Sequence, residues 1–117
     1  MASIVRAVRS GDIKLIDAEL RKPGFCINSP TTGGRTALHH AIDAGKIEVC
    51  KHLISRGADP DLEDEGECTP VYIAILKENK KMIEFLLEQG ANKKGKSPDG
   101  DKYIECTENE AIKELFK

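Results

Sequence analysis

At 117 residues the chain has room for one compact unit or a short repeat array. Its 18 basic and 20 acidic residues leave a net charge of −2, which argues against a general binder of nucleic acid or anionic membrane. Aromatic content is 4% with no Trp, and the apolar set of Ile, Leu, Ala and Val suits packed helices better than a sheet. No apolar run reaches the ~20 residues of a membrane-crossing helix. Arg6, Arg9, Asp12 and Lys14 interrupt the stretch Met1 to Leu15, so no secretory signal is expected there. The four cysteines lie 18 or more residues apart, with no close pair for zinc or redox chemistry. Reduced thiols are expected, in the cytoplasm and also in the nucleus.

In chain order, a first helix pair is expected over Ala2 to Leu20, with Gly11 at its turn. A second pair opens at Thr36, whose hydroxyl can take up free backbone N–H groups. Leu38 and Ala41 share one face of its first helix, and Gly45 ends it. Ile47, Cys50, Leu53 and Ile54 form the apolar stripe of the next helix, which Gly57 closes. A third pair begins at Thr69 with Pro70 in the first helical position, where a missing N–H costs nothing. Val71 and Ala74 face inward; Glu78-Asn79 replaces the turn glycine, with Asn expected to take its backbone geometry. Lys80, Ile83, Leu86 and Leu87 then run to Gly90. A last helix is expected over Glu108 to Lys117, with Ala111, Ile112, Leu115 and Phe116 turned inward.

These elements repeat. Thr36 to Thr69, Ala41 to Ala74, Leu53 to Leu86, Gly57 to Gly90 and Ala58 to Ala91 are each 33 residues apart. Several unlike residue types in one register indicate duplication. The register extends outward to Leu20 and Gly24 upstream and to Gly100, Lys102 and Ile104 downstream, placing units at roughly 1–30, 31–63, 64–96 and 97–117 within a single domain. A 33-residue unit carrying Thr36-Ala37-Leu38-His39-His40-Ala41, Gly45 and Leu53-Ile54-Ser55-Arg56-Gly57-Ala58-Asp59 resembles the ankyrin repeat. That resemblance implies an all-α solenoid: four stacked helix-turn-helix units, two full and two capping, with projecting loops.

Catalytic chemistry finds little footing. His39 is the histidine of the repeat signature, which in this family braces a loop by hydrogen bonding. His40 points about 100° away from it on a helix and is expected to be exposed. His52 falls on the polar side of its helix and is expected at the surface. Cys50 occupies a core position. Cys68 precedes a helix N-terminus, where a thiol can become acidic and reactive, although a plain loop cysteine is the simpler reading. Gly33-Gly34-Arg35-Thr36 lacks the spaced glycine and lysine of a phosphate-binding loop. The acidic residues from Asp59 to Glu67 lack calcium-loop spacing and read as solvated charge. No enzymatic activity, cofactor or metal is expected.

Recognition remains. In ankyrin repeats, partners meet the concave face made by loop tips and first helices. By register that face comprises Arg6, Arg9 and Ser10; Thr32, Arg35, His40 and Asp43; Glu65, Cys68, Ile73, Leu76 and Lys77; and Asp99, Asp101 and Asn109. Ile73 and Leu76 are apolar at expected surface positions, as partner anchors or as packing on a neighbouring unit. Within the family, Ser10-Gly11-Asp12 and the end Lys94-Gly95-Lys96-Ser97-Pro98-Asp99-Gly100 followed by Glu105 to Leu115 resemble the myotrophin branch, whose members bind the actin filament capping protein. Arg6 stands where that branch carries a Trp. The resemblance implies a chain that is monomeric when free, with the capping protein heterodimer as partner and neither nucleic acid nor membrane. The alternatives are a generic ankyrin adaptor, or an inhibitor of a kinase or a Rel-type transcription factor.

Overall fold

A computed structural model of the chain describes residues 3–117, except for the side chain of Ser3; Ala2, expected in the first helix, lies outside the described residues. Three helix pairs follow one another: α1 (Ser3–Ser10) with α2 (Ile13–Leu20), α3 (Ala37–Asp43) with α4 (Ile47–Ser55), and α5 (Pro70–Leu76) with α6 (Lys80–Glu88). The chain then forms a 3₁₀ turn over Tyr103–Cys106 and a short α7 (Glu110–Glu114). Each helix packs on its own partner, while α1 packs on α3, α3 on α5 and α5 on the 3₁₀ turn. The result is an all-α stack measuring 42 × 24 × 21 Å. The only β pairing among the described residues is an isolated antiparallel bridge between Lys96 and Lys102.

α3 and α5 start where threonine side chains satisfy free N–H groups. The Thr36 hydroxyl accepts from the His39 N–H at 3.4 Å, and the Thr36 N–H donates to His39 Nδ1 at 3.1 Å. This is a capping box with histidine in the usual place of Glu or Gln. Thr69 accepts from the Tyr72 N–H at 3.2 Å, with Pro70 at the first helical position. The turn between α5 and α6 departs from expectation. Glu78, with φ of 51°, carries the left-handed backbone that Gly45 supplies between α3 and α4 at φ of 70°. Asn79 is used otherwise: its carboxamide oxygen caps α6 by accepting from the Met82 N–H at 3.2 Å.

One core runs the length of the stack through Ile16, Leu38, Ile42, Leu53, Ile75, Met82, Ile83, Leu86 and Ile112, all essentially without solvent contact. Cys50 is also fully buried, and burial pushes its thiol pKa up to about 12. The last helix is shorter than expected. Asn109 accepts from both the Ala111 and Ile112 N–H groups, so α7 begins at Glu110. With little more than one turn, α7 buries one stripe: Ile112 is enclosed, Leu115 and Phe116 are half-buried, and Ala111 is exposed rather than inward.

Polar ties link each helix pair to the next. Asn28 accepts from the Asp59 N–H at 2.8 Å and donates to the Gly57 carbonyl at 3.2 Å. Asp61 repeats the first of these contacts on the Asn92 N–H at 2.8 Å. His39 Nε2 donates to the Cys68 carbonyl at 2.9 Å, joining α3 to the loop before α5. Since Nδ1 accepts from Thr36, His39 is neutral with its proton on Nε2, and burial depresses its pKa. The acidic run is therefore not merely solvated charge: Asp61 and Asp64 satisfy backbone N–H groups.

Candidate protein-binding face

Stacking α1, α3 and α5 side by side brings the ends of these helices and the preceding loops together. Asp43, the last residue of α3, is the centre of an ion-pair network. Its Oδ2 lies 2.9 Å from an Arg9 nitrogen and 3.9 Å from an Arg35 nitrogen, and its Oδ1 lies 3.1 Å from Lys77 Nζ. The hydrogen bond from Arg9 holds the Asp43 carboxyl below its ordinary range against the opposing effect of burial, with Lys77 assisting. Arg35 also reaches Asp64 Oδ2 at 3.4 Å. Burial alone would raise the Asp64 pKa, but N–H groups of Cys68 and Gly66 outweigh it and leave the carboxyl lowered. Neither Asp64 nor its pairing with Arg35 was legible in the linear pattern.

His40 lies beneath this network and is buried at 6% exposure, not exposed as expected. Its ring is enclosed because the neighbouring α1 and the loop at Thr31 cover that side of α3. Arg9 donates to Nδ1 at 3.4 Å, Nε2 donates to the Thr31 hydroxyl at 2.9 Å, and that hydroxyl donates to the Arg35 carbonyl at 2.6 Å. Burial, reinforced by Arg9 and Arg35, lowers the His40 pKa to about 4. His40 therefore positions the arginines from below and is unavailable to a partner. Ile73, one repeat further on, is likewise buried at 2% and packs within the stack. Leu76 is different: at the register position of Asp43, it is 58% exposed beside Lys77.

The other expected face residues divide by location. Arg6 and Ser10 are exposed on α1; Thr32 and Glu65 are exposed at adjoining loop tips. Those tips are locked together, since the Glu65 N–H donates to the Gly33 carbonyl at 3.0 Å. A Cβ on Gly34 would fall 2.7 Å from the Glu65 backbone nitrogen, so glycine permits the close approach. Cys68 is half-buried, and burial followed by the charge of Asp64 raises its thiol pKa. This goes against an activated thiol and agrees with the plain loop cysteine. Asp99 and Asp101 donate their N–H groups to Ser97 Oγ at 3.2 and 3.1 Å in a separate turn. Asn109 is exposed but occupied as the α7 cap.

His52, expected as a plain surface residue, is tied to α2: its Nε2 lies 2.7 Å from Asp17 Oδ1, with Arg56 at 3.5 Å from the same oxygen. Among the described residues no group of three or more His, Cys, Asp or Glu side chains could hold a metal ion, and no helix is long and apolar enough to cross a membrane. The arrangement suits recognition: fixed cations around one carboxylate, an exposed leucine and rigid loop tips.

Known proteins fit this geometry. The family description "Ankyrin repeats (3 copies)" matches residues 4–97. The chain is 38% identical to myotrophin of Xenopus tropicalis over 112 residues, covering 96% of this chain and 94% of that protein. It is 32% identical over 117 residues to the human transient receptor potential cation channel subfamily A member 1, covering 95% of this chain but only 10% of the channel subunit. A chain in the solved complex of a predatory endopeptidase from Bdellovibrio bacteriovorus with an immunity protein superposes with a TM-score of 0.86 at 22% identity. That match covers 99% of this chain and 62% of the other, and it concerns the fold alone.

Proposed function

From its membership of the ankyrin-repeat family, we propose that this chain is a myotrophin-like, non-enzymatic module that acts by occupying another protein, and that its partner is the actin filament capping protein. The observation carrying this reading is the myotrophin match, which spans 96% of this chain and 94% of the relative at 38% identity. The face around Asp43 supports it. Arg9, Arg35 and Lys77 are held in place by one carboxylate, so little side-chain freedom remains to be lost on binding. Leu76 stands exposed beside them as an apolar anchor. The chain acts as a monomer in the cytoplasm and withholds the capping protein by stoichiometric binding.

Titration calorimetry against the purified capping protein heterodimer tests this. Saturable one-to-one binding at micromolar concentration or tighter is expected, weakened roughly tenfold or more by Leu76→Asp. Arg6→Trp restores the residue of the myotrophin branch and is expected to tighten the complex. Absence of binding at about 10 μM overturns the capping-protein assignment. Co-purification of a kinase or a Rel-type factor in its place would favour the adaptor reading.

A further inference from the structure

A second surface lies at the C-terminal end of the stack and uses none of the residues around Asp43. After α6, the turn at Lys93-Lys94-Gly95-Lys96 comes up against the 3₁₀ turn and Phe116, which follows α7. Together they border a cleft of about 280 Å³. Lys93, Lys94, Lys96 and Lys102 are exposed around it, while the half-buried Ile104 and Phe116 and the buried Tyr103 give it an apolar floor. Phe116 meets Tyr103 edge to face, with ring centroids 5.7 Å apart. The turn packs closely on Tyr103. A Cβ on Gly95 would lie 2.6 Å from the Tyr103 hydroxyl oxygen, and that hydroxyl is bonded to Thr69 at 2.5 Å.

The charge is unusual for an acidic chain. Among the described residues, no Asp or Glu carboxylate lies within 4.0 Å of the Lys93, Lys94, Lys96 or Lys102 ammonium groups. Lys93 donates to a main-chain oxygen of Lys117, the last residue, at 3.1 Å, and Glu105 binds the Lys102 backbone N–H rather than its ammonium. Asp61 and Glu63 border a neighbouring depression that Lys96 shares, so Lys96 sees charge from both sides. We propose that this cleft docks an acidic peptide segment of a partner protein, carboxylates on the lysine rim and one apolar side chain on the Ile104–Phe116 floor.

The occupant follows from size and charge. A volume of 280 Å³ lies just under the range of small-molecule pockets and suits a side chain with its flanking backbone. The apolar floor offers nothing to a bare phosphate. A polyanion longer than such a peptide would run past the lysine rim onto the acidic run beside Lys96.

The test is a 15N–1H correlation titration of the full chain with the synthetic peptide Glu-Asp-Glu-Phe-Glu-Asp-Glu. Saturable shifts are expected at the amides of residues 93–96, 102–104 and 116. The double variant Lys94→Glu/Lys102→Glu, both sites being exposed, should weaken binding about tenfold or more. Lys94→Gln/Lys102→Gln should show the smaller loss of neutralisation alone. Alanine in place of the peptide's Phe should also weaken it, because the floor then has no occupant. The proposal is overturned by no shifts at about 1 mM peptide, by shifts centred on Arg9, Asp43 and Leu76, or by unchanged affinity in both lysine variants. An RNA oligonucleotide or phosphatidylserine vesicle that perturbs the same amides more strongly than the peptide also overturns it.

Discussion

The middle of the stack and its C-terminal unit solve one packing problem with different chemistry. In α3 and α5, a threonine caps the helix, a full two turns follow, and apolar residues close against the neighbours. In the last unit, Lys102 stands at the corresponding cap position and offers no acceptor to the following N–H groups. A 3₁₀ turn of four residues forms instead of a helix. The unit is held by a tertiary contact: Tyr103 is buried at 3% exposure and reaches back to the Thr69 hydroxyl. Where local capping is missing, a long-range bond preserves the register. The difference should show as a gradient of local stability, because repeats in a stack contact only their neighbours.

The sharpest break comes in the middle. Leu53→Ala empties a site with no solvent contact and should cost about 2 to 5 kcal/mol in urea unfolding. His39→Ala leaves the Cys68 carbonyl and the Thr36 N–H without their partner, and a loss of about 1 to 3 kcal/mol is expected by the same measurement.

Acid should act on the middle as well. The His40 pKa falls from 6.5 to about 4 on folding, so the unfolded chain binds the proton first as pH drops. Stability conferred by the neutral ring is complete above about pH 6.5 and is lost progressively towards pH 4. The effect is on the order of 3 kcal/mol, and comparing urea midpoints across this range with those of His40→Gln isolates it. A slope unchanged in the variant would remove His40 as the cause.

Tyr103→Phe removes only the hydroxyl bond to Thr69, at about 0.5 to 1.5 kcal/mol. Hydrogen exchange should accelerate over residues 103–114 and leave α3 and α4 unchanged. Equal acceleration throughout would show that the last unit unfolds only with the whole stack. Leu76→Ala should move stability by no more than about 0.5 kcal/mol, since its side chain is mostly in water, while still lowering partner affinity.

The 33-residue spacing by itself determined the helix pairs, the threonine caps of α3 and α5, Pro70 at a helix start and the burial of Cys50. These follow from local rules: periodicity, capping and the conformational tolerance of residues at turns. The candidate face was legible only in outline. Arg9, Arg35, Asp43 and Lys77 were picked out by register, but their convergence on one carboxylate requires α1, α3 and α5 to lie side by side. Spacing along one helix says which residues share a face, yet a neighbour decides whether that face meets water. That is why His40 and Ile73 are buried while Leu76 is exposed. For the same reason the Asp17–His52 pair, the Asn28 and Asp61 ties and the Tyr103 bond emerged only from the assembled stack: each joins residues about 30 apart, and no local pattern links them.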